Sequence, residues 1–317
     1  MGVSRRDLID LSRSVGGLLL ASGAVVLIAR RPGAGGWNDF ARALVTLAPA
    51  GGLYVMAAGL LDPPGAERGQ PWRAVVLITS ILLGAVGLIE LLRLLGADTN
   101  NSFYGAGVLV ATGGLAGYAS ARAQVPYAAM LAALASLFAW LVLWGEALGS
   151  PSPGTFRWLL IAAAALLLVT AVALERRRAI GAHEVATIGA LAAIAAGIIG
   201  IFVGYVAGAV DQVRSLGGDE LRAHTDIHLG GVQTLGWDVY LLLVSLAAVW
   251  LGARVRSRGI GYVGALGLLT FLLSVGSQLT RLESGSALSH SLAGWPIVLI
   301  LLGAIGLVVP LILQRER

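Results

Sequence analysis

Cysteine and lysine are both missing from this chain, and charge of either sign is scarce. Without cysteine there is no disulfide, thiolate metal site or cysteine nucleophile. All 22 basic residues are arginine, so Schiff-base chemistry on a lysine is excluded. Only 12% of residues are charged, about half the share in soluble domains, while 57% are hydrophobic. A soluble fold of that composition would expose large apolar patches, so the bilayer is the fitting solvent. The ten-residue alternating segments of a membrane barrel are absent. So is a G-x-x-x-x-G-K-[ST] phosphate loop, which argues against ATP-driven work by this chain alone. The net charge of +5 does not indicate nucleic acid, because the arginines sit between apolar runs and are not gathered on one face with aromatics.

What is abundant is glycine, 44 of 317 residues, costly inside soluble helices but useful where membrane helices pack closely. A spanning helix needs about 20 mainly apolar residues. Ten stretches qualify, near 14–30, 42–61, 73–95, 104–121, 127–148, 156–174, 184–210, 235–253, 259–280 and 292–313. The fourth is the weakest, being short and rich in glycine. The expected fold is all-α, a polytopic transmembrane bundle of about ten helices forming one integral membrane domain over 1–317. Residues 1–13 are read as a cytoplasmic interfacial segment and 211–233 as a long outer loop.

Ser4-Arg5-Arg6-Asp7-Leu8-Ile9 ahead of an apolar run is similar to a twin-arginine export signal. The run ends in Arg30-Arg31, not in a small-residue cleavage site. The plainer reading is a helix capped by Ser4, with Asp7 in the capping-box position. With the N-terminus inside, fourteen arginines fall on the inner side and eight on the outer. That bias places both termini in the cytoplasm. Arginine-only, Ala/Gly/Leu-rich usage suggests a high-GC bacterium, hence its plasma (inner) membrane. Trp37, Trp72, Trp144, Trp158, Trp237 and Trp295 lie near helix ends, as an aromatic belt places them.

The richest stretch joins the seventh helix to the loop that follows it. Gly200, Gly204 and Gly208 recur every fourth residue and share one face, which lets another backbone approach. The loop then holds Glu220, His224, Asp226 and His228. In a helix Glu220, His224 and His228 align; in an extended segment His224, Asp226 and His228 do. Either set has donors that suit zinc, but no H-E-x-x-H arrangement is present, and a solvated loop is the plainer reading. No metal and no cofactor is therefore assigned. Six apolar residues in the loop predict that it folds over the bundle's outer mouth.

Glu90, Glu146 and Asp238 are the ligand or transport candidates, since acids in or near spans are functional by default. Each lies close to a span's end, where water is in reach, and Glu90 can pair with Arg93 three residues on. His183 and His290 have no second histidine at their depth, so bis-histidine haem is not indicated. Pro49 with Gly51-Gly52 reads as an interruption of the second helix, a device of transporter sites.

Two stretches carry a resemblance. One is Leu18–Ala29 followed by Trp37-Asn38-Asp39 and Arg42; the other is Gly261-Tyr262-Val263-Gly264-Ala265 with Gly294-Trp295-Pro296. Both resemble multi-pass membrane proteins of high-GC bacteria that form a family of unknown function. The resemblance implies a fold class and a compartment and assigns no functional residue.

Three functions fit these residues. The first is a membrane scaffold or interaction subunit without catalysis, with the lipid bilayer and a membrane protein or a second copy as partners. The second is a small-solute transporter, needing Glu90, Glu146 or Asp238 turned into a cavity. The third is a membrane enzyme with an outer-loop site. No catalytic residue is assigned.

Overall fold

The computed structural model describes residues 5–29, 38–60, 71–98, 101–149, 151–216 and 234–283. Among them every regular element is an α-helix: α1 Arg5–Ala29, α2 Asp39–Ala57, α3 Pro71–Leu94, α4 Ser102–Ala123, α5 Pro126–Ala147, α6 Pro153–Arg176, α7 Ala182–Leu216, α8 Thr234–Val255 and α9 Arg258–Glu283. Helix is the outcome that apolar runs of this length demand, because it satisfies every backbone N–H and C=O within the segment. Seven of these helices (α1, α2, α3, α5, α6, α7 and α8) are long and apolar enough to cross a membrane. This is an all-α bundle suited to a multi-pass membrane protein. Helix α4 forms where the fourth span is expected, yet it stays outside that group of seven. The apolar part of α9 is shorter, Arg258–Ser274. The tenth expected span, 292–313, lies outside the described residues, as do Ser4, Trp37, Trp295 and the 217–233 part of the loop.

Two expectations change. Helix α2 runs unbroken through Pro49. The missing N–H leaves one carbonyl open a turn earlier, but nothing bends the chain out of helix. The seventh helix does not stop at Val210 but continues to Leu216, so Asp211 and Arg214 belong to a helix and not to a loop. The chain divides into two compact units, Met1–Thr270 and Phe271–Arg317. That division falls inside α9, where no Pro/Gly linker advertises it.

Sharp turns follow from the local sequence. Asn38 Oδ1 accepts the Ala41 N–H at 2.9 Å, Asn101 Oδ1 accepts Phe103 N–H at 2.9 Å, and Ser152 Oγ accepts Thr155 N–H at 3.2 Å. These side chains satisfy helix-start donors that would otherwise be orphaned. Pro126 and Pro153 open α5 and α6, where a missing N–H costs nothing.

Within the first unit, α2 packs along α3, α4 along α5, and α6 along α7. One apolar core gathers Leu53, Trp72, Val76, Leu77, Ala116 and Ala128 from α2 to α5. A second gathers Leu137, Leu160, Ile188, Ala196 and Ala248 from α5 to α8. Helix α5 serves both, so its small residues must meet neighbours on two sides. Polar tips of aromatics tie helices together: Tyr54 Oη donates to Leu115 O at 2.9 Å, Trp140 Nε1 to Leu159 O at 3.1 Å and Tyr240 Oη to Ala193 O at 3.2 Å. Such tips need an acceptor once removed from water.

Candidate functional site

Small residues set how closely the helices approach. A Cβ added at Gly200 would fall 2.7 Å from Trp237 Cγ, and one at Gly197 would fall 3.1 Å from Leu241 Cδ1. The α7 glycine face therefore receives α8, at Gly197 and Gly200. Gly204 is buried. Of Gly208 only the helical backbone is described.

Around that contact the structure builds an aromatic cage that the sequence did not single out. The Arg157 guanidinium stacks over the Trp237 ring, 4.4 Å from its centroid. Trp158 and Tyr240 meet the same ring edge-on at 6.3 and 5.4 Å. Arg157 is only 9% exposed, and its Nε and Nη1 have no hydrogen-bond partner. The ring's negative face offsets part of the cost of that burial. In the sequence the signal was an arginine between Phe156 and Trp158, which the positive-inside count absorbed.

The three acidic candidates separate. Glu90 is 4% exposed and accepts from Arg93 Nη1 at 2.8 Å through Oε1, while its Oε2 is buried and unbonded. Asp238 is 3% exposed and is not without a partner. Glu146 is exposed. Glu220, His224, Asp226 and His228 lie outside the described residues. Among the described residues no three His, Asp or Glu side chains gather as metal ligands.

None of the acidic candidates lines the cavity found between α5 and α6. It measures about 650 Å³, within the range of small-ligand sites. The two helices are joined by a short turn and held near it by the Trp140–Leu159 hydrogen bond. Away from that turn they separate. Ala129, Ala132 and Ala133 of α5 face Ala163, Leu166 and Leu167 of α6 across the gap, and Gly117 and Ser120 of α4 form the back wall. Alanines on α5 are too small to fill the space, so the void follows from side-chain volume. Ser136, Leu166 and Thr170 on its rim are exposed, so it opens sideways on the bundle.

Its chemistry is polarised. The hydroxyls of Ser136 and Thr170 are committed to Ala132 O and Leu166 O at 2.8 Å each. Trp140 closes one end. The other end carries Gln124, Arg178 and Ser120. Gln124 and Arg178 both occupy the left-handed region, at φ 56 and 51, each just past a helix end, where such a residue stops the helix. Ser120 is 4% exposed and its Oγ has no hydrogen-bond partner. No family model, curated protein or solved structure matches the chain. The geometry therefore carries the functional argument by itself.

Proposed function

We propose that the protein is a membrane scaffold or interaction subunit that works by holding a hydrophobic ligand within the bilayer, without catalysis of its own. The observation that supports this reading is the α5–α6 cavity. It offers an apolar trough whose rim hydroxyls are already bonded to backbone, with cationic and amide groups at one end only. That is an arrangement for binding and orienting, since among the described residues no His, Asp or Glu lines the cavity to activate a hydroxyl for attack. The buried Glu90 carboxylate favours the transporter reading less, because one oxygen is held by Arg93 and the residue lies off the cavity.

The compartment proposed is the plasma membrane of a high-GC bacterium, with ten spans and both termini cytoplasmic, on the arginine bias. Under that topology Arg178 stands at the cytoplasmic interface. A membrane protein partner or a second copy would meet the exposed apolar faces.

A photo-crosslinking residue at Leu166, on the cavity rim, tests the binding reading in intact membranes. The expected result is a discrete adduct absent from a control at Val169, which is 67% exposed and off the cavity. Identical labelling at both positions would sink the reading.

A further inference from the structure

We infer that the α5–α6 cavity holds one chain of an anionic phospholipid, with the lipid's phosphate at Arg178 and Gln124; this rests on the binding reading above. Three observations converge on that occupant. The first is length. From Ala129 to Trp140 the cavity follows α5 over twelve residues, about 16 Å of helix. Half of a roughly 30 Å hydrocarbon core is about 15 Å, so the trough has the depth of one leaflet. Because it opens sideways through Ser136, Leu166 and Thr170, a chain can enter from the bilayer without crossing a polar barrier.

The second is polarity along that length. Alanine, leucine and the Trp140 ring line the deep part, as an acyl chain requires. Apart from the Ser136 and Thr170 hydroxyls, which donate to their own helix backbones, polar side chains line it at the far end, where Arg178 and Gln124 leave their helices. The third is an unmet hydrogen-bonding group. Ser120 Oγ is buried without a partner beside that end, and it lies 3.5 Å from where a Cβ on Gly181 would stand. A buried hydroxyl normally finds a partner. A phosphate or ester oxygen there would accept its proton.

Charge selects among lipids. The turn after α6 carries Arg176, Arg177 and Arg178, all exposed, against Glu175 alone on the same stretch. Only Arg178 of the three lines the cavity. An arginine fixes a phosphate through its planar array of donors. A zwitterionic head group gains less, because its own ammonium offsets the phosphate. The preference is therefore for phosphatidylglycerol over phosphatidylcholine.

The test uses the full-length protein in vesicles of dioleoyl phosphatidylcholine with a small fraction of chain-brominated phosphatidylglycerol or phosphatidylcholine. Bromine quenches tryptophan on contact, and the difference between the protein and its Trp140→Phe variant isolates Trp140. The expected result is Trp140 quenching at lower mole fraction of brominated phosphatidylglycerol. Arg178→Gln should reduce that preference about five-fold, the weight of one basic residue at a lipid head group. Arg177→Gln, off the cavity, should preserve it. Gly117→Leu should abolish quenching by both lipids. A Cβ there meets only Ala132 Cβ, at an ordinary 3.9 Å, so its side chain grows into the cavity without forcing helices apart. Thr170→Phe fills the same space from α6 should the first variant fail to fold. Equal quenching by the two lipids, or an unchanged preference in Arg178→Gln, overturns the anionic assignment while leaving the cavity's binding role intact. No Trp140 quenching by either lipid overturns both.

Discussion

The contact between α8 and α9 allows one sharp test of how glycine sets helix spacing. A Cβ at Gly264 would stand 2.6 Å from Val249 N and 2.9 Å from Ser245 O, both backbone atoms that cannot rotate away. A Cβ at Gly261, one turn earlier on the same helix, would meet nothing within 4 Å. Both Gly→Ala changes gain the same helix propensity, about 1 kcal/mol, so the difference between them isolates the steric effect. For Gly264→Ala the helices must part by about 0.8 Å to restore an ordinary contact, a gap that forfeits a quarter to a half of each neighbouring dispersion contact. Contacts at risk include Gly267 against Ser245 and Ile194. Overpacking of this kind costs about 1–3 kcal/mol. Gly264→Ala should therefore be less stable than Gly261→Ala by that amount, with Gly261→Ala equal to or above the parent. Equilibrium unfolding in mixed detergent micelles measures both. Equal stabilities for the two variants would refute the claim that backbones touch at this seam.

Further outcomes follow from other contacts. Gly200→Ala should push Trp237 off Arg157, shift tryptophan emission and destabilise more than Gly114→Ala, whose added Cβ meets nothing; equal effects would remove the case for close α7–α8 approach. Arg93→Ala should cost more than Glu90→Ala, by about 1–3 kcal/mol, because it strands a buried carboxylate. The double variant should recover part of that loss, and a double-variant unfolding cycle showing no recovery contradicts the pairing. Trypsin should cut at the exposed turn of Arg177 and Arg178 before Arg214, which α7 holds in helix; mass spectrometry of early fragments showing Arg214 first would contradict this. Reporter fusions at residue 317 and within 217–233 should report opposite sides, and a cytoplasmic signal from the second would refute the proposed topology.

Much of the site was hidden in the sequence for identifiable reasons. Glu90 drew attention as an acid within a span, and i,i+3 spacing was enough to pair it with Arg93. Gly200 drew attention by its spacing, and the structure supplied its contact, Trp237. Arg157 and Arg178 did not stand out, because an arginine at a span's end is accounted for by topology. Ser120 is one hydroxyl among many on apolar helices. Its lack of a backbone acceptor, which Ser136 and Thr170 both have, is a matter of geometry. Pro49 misled in the other direction: a helix in an apolar medium gains so little by opening that one absent hydrogen bond does not break it.

Sequence alone determined that this chain is helical and where most of the helices lie. The reason is local: in a medium without water each segment must satisfy its own backbone hydrogen bonds, so a run of about 20 apolar residues has one solution, whatever surrounds it. Caps at Asn38, Asn101 and Ser152 are legible for the same reason, since their partners lie two or three residues away. Tertiary structure decided which helix each glycine admits, which arginine is buried under a tryptophan, and that α5 and α6 part to leave a cavity. Those outcomes depend on side-chain volumes contributed by helices distant in sequence. Ala129 and Ala133 read as helix formers until Leu166 and Leu167 fail to reach across to them.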